Sequence, residues 1–521
     1  MDTKALRQKV LDLAIRGKLV PQDPNDEPAS VLLARIRQQK QQMVKDGKLK
    51  AKDIKNDTII FVGEDNLHYE KFADGSVKCI EDEIPFDLPE GWAWVRLSSI
   101  ADMALGKMLD VAKNRGSLRP YLRNINVRWG AFELSDILEM RFEYDELERY
   151  SIRHGDLVIC EGGEPGRCAV WQSEEVVFYQ KALHRVRAIE VLPEYLYYVI
   201  RHFIISTQYE RYYTGTTIKH LTGQSLRILP IPLPPTSQQQ SIVKRLQQII
   251  DEIDRIEAEK TDAQSLVALA KSKILDLAIR GQLVPQNPTD EPASVLLERI
   301  RAEKEELIRQ GKTKRDKKES IIFRGEDNSY YEKIGNQVEN VDDEIPFELP
   351  EGWVWCRGYS CFEGMESTKP QGDYFDYIDI DAIDNRLHRI KEAKHLPVSD
   401  APSRASRAVK NGSVLFSLVR PYLENIALVK EKHSNCIAST GFYVCNSNGV
   451  LLPEFMFFLM ISGYVVKGLN QYMKGDNSPS ISKDNIESWL YPVPPLEEQK
   501  AICSKLKSIF TMIENVEKSL S

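Results

Sequence analysis

The sequence is poor in the features that mark secreted, membrane-spanning and metal-binding proteins. Its eight cysteines are scattered over 521 residues without a CxxC pair, and its eight histidines form no cluster with metal-ligand spacing. Free thiols in a reducing cytoplasm are therefore expected rather than disulfides or zinc. No charged-then-apolar leader opens the sequence, and the most apolar stretch, residues 451–466, is too short to cross a bilayer. We expect a cytoplasmic protein with no membrane partner.

Motifs for nucleotide and methyl-donor chemistry are also missing. GKT at 311–313 lacks the earlier glycine of a phosphate-binding loop and follows a helical pattern, and no GxGxxG is present. Neither proline pair, 234–235 nor 494–495, has the preceding Asn or Asp and the following aromatic residue with which an amino-methyltransferase grips a flipped base. We therefore expect a chain that is not an enzyme by itself, with no catalytic residue and no metal or cofactor of its own.

What the sequence does contain is an internal repeat. Residues 9–37 and 273–301 are identical at 24 of 29 positions, at a constant offset of 264. Further matches follow at slightly smaller offsets: GEDNLHYEK with GEDNSYYEK, and EIPFDLPEGWAW with EIPFELPEGWVW. Agreement of this kind within one chain indicates duplication, whereas the sequence between the matching stretches differs almost completely. We predict one scaffold built twice around two unlike inserts, which suits an extended target with two different halves.

A heptad pattern predicts a long helix between the two copies. From Ser237, apolar residues recur at alternating spacings of four and three, the seam of a coiled coil. The helix would hold roughly 44 residues and span about 66 Å. The closing segment from residue 497 repeats its first half, and residues 1–16 repeat its second half. We therefore expect the two chain ends to lie close together and to complete the second arm of an antiparallel helical pair, with pseudo-twofold symmetry.

The repeat divides the chain into five segments. They are a repeat region with two helices and a loop-and-hairpin connector, a first globular insert, a central repeat region, a second globular insert and a closing helix: residues 1–83, 84–235, 236–343, 344–495 and 496–521. Within the inserts, GDLVICEGG and GSVLFSLVRP predict buried strands paired with CAVW and NIALV, and core helices are expected at 192–204 and 451–466. The predicted fold class is α+β, with inserts of about 150 residues each.

Charge does not mark the inserts as basic. Residues 85–235 carry 18 Lys and Arg against 19 Asp and Glu, and residues 345–495 carry 15 against 17. A DNA-reading domain with this balance must gather its cations on one face or use phosphate contacts from a partner. The first insert has 14 arginines and only 4 lysines, which suits bidentate contacts to guanine but also ordinary ion pairs. We interpret the Lys-rich run 312–320 as a solvated linker.

Four motifs together resemble the specificity subunits of type I restriction–modification enzymes. They are LDLAIRGKLVPQDPNDEPAS, the LPEGW that opens each insert, GGEPGRCAVW, and PPLEEQKAI at the start of the closing helix. The resemblance covers essentially the whole chain and points to the longer branch of the family, in which the first of these phrases is duplicated. It implies two target-recognition domains, each reading one half of a bipartite double-stranded DNA site, separated by long antiparallel coiled-coil helices.

The resemblance also implies which components belong to other subunits. The repeated helices would dock methyltransferase subunits, and an ATP-dependent restriction subunit that translocates DNA would join the full complex. S-adenosylmethionine, ATP and Mg²⁺ would then be bound by those partners. The alternatives are a coiled-coil scaffolding or regulatory protein that does not bind DNA, and a self-contained modification or restriction enzyme, which would need the missing methyltransferase loop.

The first candidate site is the loop PYLRNINVRWG, residues 120–130. Arg123 and Arg128 could donate to guanine, and Asn124 or Asn126 could pair with adenine in the major groove. The alternative is that the two asparagines cap turns and that the arginines pair with nearby acids.

A second set of candidates lies in the loops before each Pro-rich exit from an insert. NSPSIS (477–482) replaces GTTIKHLT (215–222) there, so the residues cannot be transferred from one copy to the other. Phosphate contacts are expected for the two lysines of this set rather than base reading. The candidates are Thr217, Lys219 and His220 in the first insert, and Tyr472, Lys474, Asn477 and Ser480 in the second, joined by Arg420 and Tyr422 after the strand VLFSLV.

Overall fold

The structure is a computed structural model that describes residues 2–55, 57–110, 112–217, 219–312 and 319–520. Most of the Lys-rich run interpreted above as a linker lies outside these ranges. The chain divides into two compact units, Met1–Glu259 and Lys260–Ser521. The division falls inside one uninterrupted helix, Thr236–Ile279, which has the predicted 44 residues and is called the central helix below.

The first unit contains a repeat region and a β-rich insert. Its helices are Thr3–Ile15, Ala29–Lys45, Ala51–Ile54, Pro193–Ile205 and Gly223–Arg227, followed by the central helix. Its strands are Ile59–Val62, His68–Lys71, Val77–Cys79, Ala93–Arg96, Ala101–Leu105, Ser117–Leu122, Val127–Arg128, Ala131–Phe132, Leu138–Phe142, Ser151–Ile152, Leu157–Cys160, Cys168–Val170, Val177–Tyr179, Leu183–Ala188 and Pro230–Leu233.

Two four-stranded sheets form the insert of the first unit. One is antiparallel throughout, in the order Cys168–Val170, Leu157–Cys160, Leu183–Ala188, Ala101–Leu105. The other has the order Ser151–Ile152, Val177–Tyr179, Ser117–Leu122, Leu138–Phe142, and its two middle strands are parallel. Strands Ala93–Arg96 and Pro230–Leu233 pair antiparallel and bring the two ends of the insert together. Buried side chains of the helix Pro193–Ile205 and of the first sheet share one hydrophobic core.

The second unit has a similar series of elements. Besides the rest of the central helix, its helices are Ala293–Arg309, Gly358–Cys361, Pro453–Met460, Gly463–Asn470, Lys483–Ser488 and Leu496–Leu520. Its strands are Ser320–Arg324, Tyr330–Ile334, Gln337–Asn340, Val354–Arg357, Phe362–Glu363, Tyr374–Ile378, Ile383–Asp384, Arg389–Ile390, Lys394–Pro397, Ala405–Ala408, Val414–Ser417, Ile426–Leu428, Ile437–Ser439, Phe442–Ser447 and Leu490–Val493.

The two inserts have the same sheet topology although their sequences differ. In the second unit the antiparallel sheet has the order Ile426–Leu428, Val414–Ser417, Phe442–Ser447, Phe362–Glu363. The mixed sheet has the order Ala405–Ala408, Ile437–Ser439, Tyr374–Ile378, Lys394–Pro397, again with its two middle strands parallel. The inserts, which are unlike in sequence, therefore share one fold. The strand pairings predicted for GDLVICEGG with CAVW and for GSVLFSLVRP with NIALV are confirmed.

The same buried contacts fix the repeat helices within each unit. Trp92 Nε1 donates to Gln238 Oε1 at 2.8 Å, and Trp353 Nε1 donates to Glu498 Oε2 at 2.9 Å. Gln239 and Gln499 each accept a hydrogen bond from the backbone N–H that precedes a core helix, at 2.9 and 2.7 Å. These contacts explain why the LPEGW segment and the residues after each Pro-rich exit belong to the repeat.

Ion pairs show that the helices run antiparallel in both units. In the first unit Arg7 pairs with Glu257 of the central helix at 2.8 Å, whereas Asp26, further along the N-terminal segment, accepts from Ser237 near the start of the central helix. The N-terminal segment and the central helix therefore run in opposite directions. In the second unit Lys271 pairs with Glu517 at 2.8 Å, whereas Gln286 donates to Glu498 at 2.8 Å. Each unit therefore holds one antiparallel contact between repeat helices.

Burial along these helices is broader than the predicted coiled-coil seam. In the helix Thr3–Ile15 the buried residues are Val10, Leu11, Ala14 and Ile15, and Leu13 of the predicted seam is only half-buried. The central helix repeats this pattern with Leu275, Ala278 and Ile279, while Leu277 is half-buried. A stripe of this width is typical of a helix packed on a globular domain, and the core of each unit supplies that contact.

Two predicted elements differ in the structure. The connector expected as loop and hairpin is a three-stranded antiparallel sheet in each unit: the first meander (Ile59–Cys79) and the second meander (Ser320–Asn340). The core helix expected at 451–466 is two helices, because Ser462 caps a new helix by accepting from Val465 N and the first ends at Met460. Its counterpart Pro193–Ile205 is continuous.

The composition led us to expect no disulfide, no metal site and no membrane-spanning helix, and the described residues bear on each of these expectations. All eight cysteines are free, and seven of them are buried. Among the residues that the structure describes, no group of three or more His, Cys, Asp or Glu could hold a metal ion. No helix of the described chain combines the length and apolar character needed to cross a membrane.

Candidate nucleic-acid interface

Three loops of the first insert meet at one end of its sheets. The first loop (residues 123–130) follows the strand Ser117–Leu122, so the beginning of the predicted PYLRNINVRWG loop is strand. The middle turn (161–167) follows the strand Leu157–Cys160, and the exit loop (214–217 and 219–220) precedes the short helix that leads out of the insert. The contacts described next join all three.

The first loop is tied to the middle turn by a network of polar contacts. Asn124 Nδ2 donates to the carbonyl of Gly162 at 2.9 Å, and Arg167 Nη2 donates to the carbonyl of Asn124 at 2.9 Å. Glu164 accepts from Trp129 Nε1 at 2.8 Å and from Arg167 Nη1 at 2.7 Å. These contacts bring a guanidinium, a carboxylate and an indole together at the tip of the insert.

The exit loop packs against the other side of the middle turn. Leu221 N donates to the carbonyl of Glu161 at 2.7 Å, and Thr214 and His220 exchange two backbone hydrogen bonds of 2.9 Å. A Cβ on Gly162 would lie 2.8 Å from His220 Nδ1, so the imidazole would have to move if this residue were not glycine. The predicted His220 thus lies beside the middle turn, to which the predicted Asn124 is hydrogen-bonded.

The first loop divides its four predicted residues between two roles. Asn126 is 1% exposed, accepts from Arg123 N, and donates to the carbonyls of Glu133 and Asp136. Its amide is therefore used by the fold, and the structure argues against Asn126 as a base-reading residue. Arg123 donates to the Asp136 carboxylate at 2.7 Å. These are the turn-capping and ion-pairing roles of the alternative interpretation.

Arg128 and Asn124 are placed differently. Arg128 is exposed, and its guanidinium makes no hydrogen bond or ion pair with any residue that the structure describes. Asn124 holds the middle turn through its amide nitrogen, while its Oδ1 is shielded from solvent and has no hydrogen-bond partner. An exposed guanidinium and an amide oxygen without a partner are groups that a ligand can satisfy.

The exit loop presents its predicted residues at the surface. Thr217, Lys219 and His220 are all exposed. Lys219 Nζ lies 3.3 Å from Glu210 Oε1 and 5.7 Å from the centre of the Tyr213 ring. An exposed lysine pair of this kind is weak, so Lys219 can exchange its partner for a phosphate.

The second insert joins its corresponding loops around Arg420. Arg420 N donates to the carbonyl of Pro479 at 2.7 Å, and Arg420 Nη2 donates to the carbonyl of Asn477 at 3.0 Å. Ile481 N donates to the carbonyl of Leu418 at 2.9 Å, the counterpart of the contact between Leu221 and Glu161. Two predicted groups that are 57 residues apart in sequence therefore lie together.

A third segment of the second insert reaches the same place. Asn385 Nδ2 donates to the carbonyl of Leu423 at 2.8 Å. Arg420, Glu424 and His388 have φ angles of 48°, 55° and 47°, in the left-handed region that non-glycine residues rarely adopt. Backbone strain concentrated in this way is typical of functional sites and is maintained by the surrounding contacts.

The remaining predicted residues of the second insert lie around this centre. Tyr422 and Tyr472 are exposed, and the Tyr472 ring lies edge-on to Trp489 with 6.2 Å between ring centres. Lys474 is exposed and its backbone exchanges two 3.0 Å hydrogen bonds with half-buried Ser480. The surface thus combines aromatic rings, a lysine and amide groups.

Burial shifts the pKa values of groups beneath both surfaces. Burial raises the pKa of the Cys160 thiol to about 11, although Arg167 acts in the opposite direction. It also raises the pKa of Glu424 and lowers that of His388. These groups are therefore held towards their neutral forms, and the Cys160 thiol is not poised to act as a nucleophile.

Sequence reasoning missed several residues that build these surfaces. Arg167 and Glu164 lie in the GGEPGR turn, and Trp129 lies beside it. A polar turn directly after a buried strand is the sequence signal that points to these residues. At the second insert, Asp379 precedes the 3-10 turn that corresponds to the one after Arg123. The two inserts therefore have side chains of opposite charge at corresponding positions, each within an ion pair.

Comparisons with known proteins agree with this architecture. A family model described as "Type I restriction modification DNA specificity domain" matches residues 89–263 and 371–521. The specificity subunit of the type I restriction enzyme EcoAI from Escherichia coli is 26% identical, over 97% of this chain and 88% of that protein. The EcoEI specificity subunit from the same species is 27% identical, over 99% and 90%.

A solved structure shows the same fold. It comes from work on complex assembly and conformational transition of the type I R-M system, and it aligns with a TM-score of 0.52 at 17% identity over 84% of this chain and 94% of that chain. Because the family model covers more than half of the residues, in both inserts and in the helices that follow them, the chain belongs to the DNA specificity subunits of type I restriction–modification enzymes.

Proposed function

We propose that this specificity subunit reads a bipartite, asymmetric DNA site, with one half read by residues 84–235 and the other by residues 344–495. The observation that carries this proposal is the convergence of three loops at corresponding ends of two inserts with one topology. The loops differ in charge and sequence, so the two ends would prefer different bases. An alternative role as a scaffold without DNA binding would leave these two surfaces unused.

The three repeat regions, residues 1–83, 236–343 and 496–521, would space the recognition domains and dock other subunits. The heptad pattern supports a coiled-coil pairing in which the two chain ends complete the second arm about a pseudo-twofold axis. We assign methyl transfer to methyltransferase subunits and DNA translocation and cleavage to restriction subunits. S-adenosylmethionine, ATP and Mg²⁺ would be bound by those partners, and this cytoplasmic chain would supply recognition without catalysis.

Mapping methylated adenines in cells that express the complete system tests this function. A split motif with two unlike halves and a fixed spacer is the expected result. A continuous or palindromic motif, or no methylation that depends on this chain, would contradict the proposal.

A further inference from the structure

Each unit carries a small sheet with one packed face and one bare face. In the first meander, Glu70 is buried and accepts from Arg96 at 2.6 Å and 3.0 Å, which fixes the sheet to the insert. In the second meander, Glu332 accepts from Arg357 in the same way, at 2.8 Å. Alternate residues of a strand point to opposite sides, so the residues next to these glutamates form the other face.

The bare faces of the two meanders carry the same apolar residues. Ile59, Phe61 and Val77 in the first correspond to Ile321, Phe323 and Val338 in the second, and all six are between 37% and 52% exposed. Their strand registers agree as well, because Phe61 faces Tyr69 across the first sheet and Phe323 faces Tyr331 across the second. Exposed apolar side chains gathered on a sheet mark an interaction surface.

The agreement extends to side-chain geometry. The rings of Phe61 and Tyr69 stack with centres 5.9 Å apart, and those of Phe323 and Tyr331 stack at 6.0 Å. Each tyrosine hydroxyl donates to an aspartate, at 2.7 Å in the first meander and 2.8 Å in the second. The inserts beside the meanders share little sequence, so a solvent-exposed face kept this closely in both copies indicates that both copies bind the same partner.

One unpaired cation lies at the same place on each face. Lys71 stands opposite Ile59 and Val77, and Lys333 stands opposite Ile321 and Val338. Both lysines are exposed, and neither side chain has a hydrogen bond or ion pair with the residues that the structure describes. A cation in an apolar patch is electrostatically complementary to a carboxylate on the partner.

We propose that the bare faces of the two meanders are equivalent docking surfaces for one kind of protein subunit. The occupant presents an apolar surface with a carboxylate set against Lys71 at one site and Lys333 at the other. This inference rests on the proposed function, in which the modification subunit is the partner, and the modification subunit is the probe in the test.

The test measures how many modification subunits bind the full chain, by native mass spectrometry, and how tightly, by titration. The wild-type chain should bind two. Phe61→Asp and Phe323→Asp should each weaken one site by at least about thirtyfold, because a charge replaces a central aromatic anchor, and the double variant should weaken both. Lys71→Glu should weaken the first site, whereas Lys71→Arg should retain it.

Tyr144→Asp is the control, since Tyr144 is an exposed aromatic residue outside the repeat; it should leave both sites unchanged. Two subunits bound with unchanged affinity by the double variant would overturn the docking sites while leaving the proposed function intact. Self-association of the chain through these faces would also overturn them. A wild-type chain that binds no modification subunit would instead contradict the proposed function, and with it this inference.

Discussion

The two units place different residues at one buried position, and exchanging them should shift stability in opposite directions. Gln238 and Glu498 occupy corresponding positions, and each accepts a hydrogen bond from the tryptophan of an LPEGW segment. Gln238 also donates to Asp26 Oδ2 at 3.0 Å. Glu498 has no proton to donate when ionised, and burial, together with Asp290 at the position of Asp26, raises its pKa.

The expected magnitudes follow from this geometry. Glu498 is 3% exposed, so replacing its charge with the amide of Glu498→Gln should stabilise the second unit by about 1–3 kcal/mol at neutral pH. The reverse change, Gln238→Glu, removes a hydrogen bond and sets a carboxylate beside Asp26. Two unit charges about 4 Å apart repel by about 4 kcal/mol at an effective dielectric constant of 20. Since Asp26 is partly exposed, a loss of about 2–3 kcal/mol is expected in the first unit.

The effect of Glu498→Gln should depend on pH. Burial raises the pKa of Glu498 above its ordinary value of 4.5, against the hydrogen bonds from Gln286 and Trp353. The native state therefore binds this proton more tightly than the unfolded state. The free-energy cost of burying the ionised carboxylate is absent below pH 4.5. It grows as the pH rises through the folded-state pKa. The variant should match the wild type in acid and exceed it at neutral pH.

Hydrogen exchange measured by mass spectrometry checks both changes, because it reports local opening around Trp92 and Trp353 separately. Exchange should slow about fivefold or more around Trp353 in Glu498→Gln and quicken around Trp92 in Gln238→Glu, since about 1.4 kcal/mol corresponds to a factor of ten. Equal exchange rates in Glu498→Gln and wild type at pH 7 would refute the reasoning. A stabilisation by Glu498→Gln that is as large in acid as at pH 7 would also refute it.

Three further predictions concern the meander anchor and the recognition surfaces. Arg96→Met removes the partner of buried Glu70; since breaking a buried ion pair costs about 3–5 kcal/mol, hydrogen exchange in the first meander should rise at least about a hundredfold. Arg128→Ala and Arg420→Ala should each cost about 1–3 kcal/mol of DNA binding at one half-site only, measured with DNA altered in either half; equal losses at both halves would contradict the assignment. Lys219→Ala should weaken binding to all sequences alike and reduce the salt dependence by about one phosphate contact, and a changed sequence preference would refute that role.

The helices of the repeat were predictable because their signals are local. The central helix, expected from Ser237, begins at Thr236 and has the predicted 44 residues. The common topology of the inserts was not predictable, because it depends on strands of two to six residues paired across long sequence separations. The parallel pair of Tyr374–Ile378 with Ile437–Ser439 leaves no periodic pattern in either segment.

The sequence predicted which loops form the candidate surfaces, but not which of their residues contact each other. Loop position identified Arg420 and Asn477 separately, and only the fold brings them within 3.0 Å. Asn126 has the residue type and surroundings of a base-reading amide, but its burial follows from a tight turn that sequence does not reveal. Polar residues that cap turns and polar residues that bind ligands are the same residue types, so burial distinguishes them.

Exchange of one insert tests the central claim most directly, that two modules read two halves of one DNA site. Residues 85–235 would be replaced by the corresponding domain of another family member, and methylated adenines would be mapped across the host genome in the presence of the partner subunits. The account predicts that one half of the recognised motif changes while the other half is retained. A change in both halves, or in neither, would contradict it.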